Sequence, residues 1–234
     1  MLAFFCVALM QKRVGIDPLI VVIPCALLVP GTLDLLPNLF INVLPGCALL
    51  ALFSVFLHRN SLQIEACTRM AAGAGLGAFI AIQVLGFGLP VTILLLLLFC
   101  ISLFSIFINA KSMTMDVVYK SPISLLLGLG IGAIQFMSLS SGRALLPSQD
   151  IGRASVVWLV AILGALVGWI AVPNETIFHL NGYVMFASIV GVLMGVGISF
   201  KVNANQFESK VLFGVVLVMT LSVWAHILIK NFLF

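Results

Sequence analysis

The chain has 234 residues, 63% of them hydrophobic and only 8% charged, with 11 Lys and Arg against 7 Asp and Glu for a net charge of +4. A soluble domain carries about 25% charged residues, so this chain has too little polar surface to enclose a water-facing globule. Its apolar runs are continuous, as from Ile93 to Ile108; they lack the alternation of a transmembrane β-barrel and point to an α-helical membrane bundle.

In chain order, Met1 to Met10 is apolar and is followed by Lys12 and Arg13. A secretory signal places its cations first, so this segment reads as retained structure, and at about half of the 20 residues a span needs it does not cross alone. Ile16 to Pro30 is short and interrupted by Pro18, Pro24 and Pro30, the pattern of a broken helix. Spans are predicted over Leu35 to Leu57, Ala66 to Leu89 and Val91 to Asn109. Pro122 to Pro147 begins as a helix with glycines at Gly128, Gly130 and Gly132, then turns polar at Ser138, Ser140, Ser141, Gly142 and Arg143, which makes it the second broken element. Further spans are predicted over Ala154 to Val172, Gly182 to Phe200 and Val211 to Ile229. The connectors His58 to Glu65, Gly86 to Pro90, Ala110 to Ser121, Ser148 to Arg153, Pro173 to Asn181 and Lys201 to Lys210 are short, so residues 1–234 form a single integral membrane domain.

Cationic loops stay on the cytoplasmic side of a membrane, and this decides the topology. If every apolar stretch from Ile16 onward crossed, Arg143, Arg153, Lys201 and Lys210 would lie opposite Lys12, Arg13, Arg59, Arg69, Lys111, Lys120 and Lys230. If Pro122 to Pro147 instead dips in and returns, every cation but Lys230 falls on one side. The expected fold is therefore an all-α polytopic membrane protein of about seven full transmembrane helices plus broken or re-entrant elements. The loops with Arg59, Lys111 and Lys201 would be cytoplasmic. The triplets from Leu35 to Asn109 and from Ala154 to Ile229 then run in opposite directions, each after a broken element. This is the outline of an inverted repeat, with repeat 1 over about 1–109 and repeat 2 over about 122–230. Gly73, Gly75 and Gly77 in one middle helix answer Gly191, Gly195 and Gly197 in the other; close helix packing through small residues accounts for Gly73, Gly77, Gly191 and Gly195 as readily as the repeat does.

At these residues the chain resembles the sulfite exporter family, the TauE/SafE-like anion permeases. The shared pattern is a Gly-rich break, an apolar run with Pro, a span, a short basic loop and a Gly-spaced helix. Here it reads Val14-Gly15-Ile16-Asp17-Pro18, the run to Pro24, then His58-Arg59-Asn60 before Gly73 to Gly77. The second copy reads Gly128-Leu129-Gly130-Ile131-Gly132, the span after Ala154, then Gly191 to Gly197, with Lys210 to Gly214 opening the last helix. The resemblance implies passage of a small sulfur-containing oxyanion such as sulfite, a sulfonate or thiosulfate, by alternating access through a plasma (inner) membrane. Where members carry consecutive glycines at each break, this chain has Ile16-Asp17-Pro18 and Ile131-Gly132-Ala133; a non-transporting membrane subunit or assembly factor is the alternative.

The residues independently allow an anion. A broken helix presents unpaired N–H groups and the positive end of its dipole where its second half begins. Ser138 and Ser141 would supply donors there, Arg143 fixed charge, and Gln135 a deep amide, with Gly15 and Asp17 in the matching break. Asp17 before Pro18 is equally a helix-start signal, and Lys12, Arg13 and Arg143 equally fit surface anchoring. Asn38 and Asn42 share a helix face, and with Gln83 they lie at membrane depth, where interhelical hydrogen bonding competes with function as the explanation. His226, beside Trp224, is assigned to the interfacial belt.

Cys6, Cys25, Cys47, Cys67 and Cys100 lie in apolar segments without metal-ligand spacing and read as packing residues. No metal or cofactor is expected, nor nucleic acid; the partners are a small anion and the lipid bilayer. An enzyme is not expected either. Asp34, Asp116 and Asp150 fall in connectors, so no pair of deep aspartates exists, and Ser140 or Ser141 with His226 lacks the sequence context of a serine hydrolase.

Overall fold

The computed structural model describes residues 1–11, 18–28, 36–59, 62, 64–86, 93, 95–100, 123–139, 151–171, 179–201, 214, 218–219, 221–227 and 229. Its elements are α1 (Leu2–Gln11), α2 (Pro18–Leu27), α3 (Leu36–Leu57), α4 (Ile64–Gly86), α5 (Ile123–Ser138), α6 (Ile151–Ala171) and α7 (Gly182–Lys201), and no strand occurs among the described residues. Four helices are long and apolar enough to cross a membrane: Asn38–Leu57, Cys67–Leu85, Gly152–Ala171 and Gly182–Phe200. They coincide with four of the expected spans. The spans expected over Val91 to Asn109 and Val211 to Ile229 lie mostly outside the described residues, which are helical at 95–100 and 221–227. The remaining expected span, Ile16 to Pro30, is represented by α2, which with ten residues is only about 15 Å long. Helix α6 begins at Ile151, so Arg153 belongs to its first turn and not to the preceding connector.

Glycines set how closely the helices approach. A Cβ at Gly73 or Gly77 would strike the carbonyl oxygen of Leu125 or Leu129 in α5, and one at Gly128 or Gly132 would strike that of Met70 or Ala74 in α4. The two helices thus lie backbone on backbone, as small-xxx-small faces permit. Helix α6 packs on another side of α4, with Gly164 against the Gly75 carbonyl and Gly168 against Phe79 and Ile82. In the same manner α7 lies on α1 through Gly191 against Met1 and Gly195 against Phe5, while Gly46 of α3 lies against Ser188 of α7. The packing role foreseen for Gly73, Gly77, Gly191 and Gly195 is therefore what these residues do. The glycines of α5 do not break it; the helix runs continuously through Gly128, Gly130 and Gly132 to Ser138.

The order of these contacts fixes helix direction. Along α4 and α5, 73 meets 125 and 77 meets 129; along α4 and α6, 75 meets 164 and 79 meets 168; all three helices run the same way. Along α7 and α1, 191 meets 1 and 195 meets 5, and along α3 and α7, 46 meets 188; the ring pair Phe53–Phe200 continues that order. So α1, α3 and α7 also share one direction. The connection of residues 58–63 is too short to let α3 and α4 run alike while both pack on α6, so the two trios are antiparallel. This brings Arg59, Arg69, Arg153 and Lys201 to one end of the bundle. Trios meet where α3 packs on α6, around the fully buried side chains of Phe40, Leu44 and Trp158.

Candidate functional site

Of the six residues expected to face a ligand, the structure describes two. Gly15, Asp17, Ser141 and Arg143 lie outside the described residues; Gln135 and Ser138 are both buried on the last turn of α5. That turn ends abruptly. Ser138 Oγ donates to the Ile134 carbonyl at 2.5 Å, and the next residue, Leu139, adopts the left-handed conformation with φ 54°. Such a backbone costs a non-glycine residue about 1–2 kcal/mol, and here the Leu139 side chain repays it by being buried. The helix therefore stops at Ser138, where the sequence turns polar.

Three helices enclose a small cavity at this end of α5. Leu44 and Cys47 come from α3, Gln135 and Leu139 from the α5 end, and Trp158 and Ala161 from α6. Phe136 closes it against Phe40 of α3, the rings 6.2 Å apart and tilted by 49°. It holds about one water molecule. Its wall is apolar apart from the Gln135 amide, the Cys47 thiol and the Trp158 indole. At the end of α5 the last carbonyls carry the negative end of the helix dipole. The Gln135 amide lies on the wall beside them. Sequence reasoning found Gln135 but not Cys47, Phe40 or Trp158, which look like ordinary core residues until α3 and α6 are brought together.

The other deep polar residues are structural ties. Asn42 Nδ2 donates to the Asn38 carbonyl at 2.8 Å and to the His179 carbonyl at 2.9 Å. Its Oδ1 accepts from Asn181 N at 2.6 Å, while Asn38 Oδ1 accepts from His179 N at 2.7 Å. Asn181 Oδ1 in turn caps α7 by accepting from Tyr183 N and Val184 N. The two amides on one face of α3 thus clamp the entry to α7. Gln83 Nε2 donates to the Gly168 carbonyl at 2.9 Å and ties α4 to α6. Cys47 and Cys67 are buried as packing residues, whereas Cys25 and Cys100 are exposed. Trp224 is buried against Phe99, rings 5.8 Å apart, whereas His226 is exposed, so the interfacial assignment does not extend to the Trp.

No family model, curated protein or solved structure matches this chain.

Proposed function

We propose that the protein is a plasma (inner) membrane permease for a small oxyanion of the sulfite, sulfonate or thiosulfate kind, built as an inverted repeat. The observation that carries this reading is the exchange in its packing. Replace α1 by α5, α3 by α6 and α4 by α7, and each close contact becomes another: α4 on α5 becomes α7 on α1, and α4 on α6 becomes α7 on α3. The register follows as well. Gly46, Gly73 and Gly77 recur at one constant spacing as Gly164, Gly191 and Gly195, and Leu125, Leu129 and Ala133 against α4 are answered by Met1, Phe5 and Leu9 against α7. Because exchanged helices belong to antiparallel trios, the repeat is inverted.

Inverted repeats with interrupted helices in matching positions are a transporter design, with the substrate held where the interruptions face the bundle interior. The paired interruptions here are the α1–α2 junction and the end of α5, and the sequences there carry Gly15 and Asp17 on one side and Ser138, Ser141 and Arg143 on the other. The basic end with Arg59, Arg69, Arg153 and Lys201 faces the cytoplasm. The Ser138 hydroxyl is engaged by the Ile134 carbonyl and the end of α5 is the negative end of its dipole, so the charge of Arg143 would hold the oxyanion, with the Ser141 hydroxyl as a donor and the Gln135 amide on the cavity wall.

Flux of labelled sulfite, thiosulfate and a sulfonate into liposomes containing the full chain tests this. At least one is expected to move, and Gln135→Leu is expected to lower that flux about tenfold, the loss of one hydrogen bond to a charged group. No flux of any of the three through folded protein replaces the reading with that of a membrane subunit.

A further inference from the structure

We infer that, among the described helices, α1 with α3 and α7, and α4 with α5 and α6, form two rigid bodies which shift against each other along the α3–α6 seam. Each body mixes helices from both ends of the sequence. Inside a body the closest contacts are mostly backbone on backbone: Gly73, Gly77, Gly128 and Gly132 join α4 to α5, Gly164 joins α6 to α4, and Gly191 and Gly195 join α7 to α1, while α3 meets α7 through Gly46 against the Ser188 side chain. The interhelical hydrogen bonds of Asn38, Asn42 and Gln83 also fall within one body or the other. A close-packed backbone interface has two discrete states, bound or separated, and does not deform by degrees.

The seam is made differently. Phe40 meets Phe136, and Leu44 faces Ala161 and Trp158 across the cavity. Apolar side chains in such a contact slide past one another by 1–2 Å or so without stranding a buried polar group, which is the shear class of motion. A packing defect lies on this seam, with α3 as one wall and α5 and α6 as the others. Pro45 adds freedom there: it stands inside α3 between Leu44 and the close contact at Gly46, and having no N–H it leaves the Ile41 carbonyl without its helical partner. A cavity for one water admits an oxyanion only when the seam opens. Its role in transport depends on the proposed function, but the motion itself is measurable without any flux.

Spin labels on four exposed residues of the full chain in liposomes test the division, with the five native cysteines replaced by alanine. Phe56→Cys with Tyr183→Cys measures one body end to end, and Arg69→Cys with Ile170→Cys the other; Phe56→Cys with Ile170→Cys and Arg69→Cys with Tyr183→Cys span the seam. Within-body pairs are expected to give one narrow distance, unchanged by sodium sulfite. Seam-spanning pairs are expected to give two distances, or one that shifts with sulfite by about 2 Å or more. Seam-spanning pairs as narrow and as fixed as the others, or within-body pairs that broaden, overturn the inference. If the cysteine-free chain does not fold, amide exchange of the unaltered protein decides: peptides around Leu44 and Ala161 must exchange faster than those around Gly73 and Gly77, and equal protection overturns it. Motion without flux sinks only the transport reading; flux without motion sinks only the seam.

Discussion

The α4–α5 interface and the α3–α6 seam sit side by side in one small bundle and are built on opposite principles. Between α4 and α5 the glycines bring carbonyl oxygens to the other helix's backbone, where nothing can move without unpacking both helices. Between α3 and α6 contact is through large side chains, Trp158 and Leu44 among them, and it leaves a cavity. Lipid is as apolar as leucine, so side-chain contact alone confers little preference for one helix arrangement over another. Rigidity in this protein therefore follows glycine, and mobility is left where glycine is absent.

The largest effect is expected where that rule is broken outright. Gly132→Val drives its side chain into the Ala74 carbonyl and should cost at least about 3 kcal/mol, seen as loss of folded protein in a denaturant titration in detergent. Two positions away, Gly130 has open space where its Cβ would stand, and Gly130→Ala should stabilise by about 0.5–1 kcal/mol through helix propensity. Equal responses at the two sites would mean that α4 and α5 are not in backbone contact.

Next in size is the amide clamp. Asn42→Ala leaves the His179 carbonyl and the Asn181 N–H without this partner and should cost about 2 kcal/mol, with the loss concentrated in faster amide exchange at the start of α7.

The glycine framework was largely legible in the sequence, because a four-residue spacing of glycines in an apolar helix has few uses other than close packing. Gly73, Gly77, Gly191 and Gly195 could be assigned on that ground, and the polar turn at Ser138 marked where α5 ends. What the sequence does not encode locally is which partner each face finds. Asn38 and Asn42 were visible as a polar face of α3, but their partners are backbone groups of residues 179–181, more than a hundred positions away. Gly46 stands alone in its helix, and its likeness to Gly164 acquires meaning only through the exchange of packing partners. Cys47 and Trp158 carry no signal at all until three helices converge on them. Most of the expected ligand-facing residues, Arg143 included, lie outside the described residues.

A smaller effect separates a polar tie from a glycine contact within the same body. Gln83→Leu removes the bond to the Gly168 carbonyl and should cost about 1 kcal/mol, since interhelical hydrogen bonds in membranes contribute about 0.6 kcal/mol on average and 1.7 at most. A loss approaching that of Gly132→Val would assign the α4–α6 contact to Gln83 and not to Gly164.

The smallest change in stability and the most informative change in behaviour belong to the seam. Ala161 is buried on the cavity wall, so Ala161→Val places its added methyl groups partly in empty space and should leave stability within about 0.5 kcal/mol of the parent. The same methyl groups obstruct the sliding of α3 past α6. Flux in liposomes should therefore fall several-fold while the denaturation midpoint stays put, a combination that no within-body substitution produces. If Ala161→Val unfolds the protein as readily as Gly132→Val, the seam is packed as tightly as the bodies it separates, and the contrast between the two interfaces disappears.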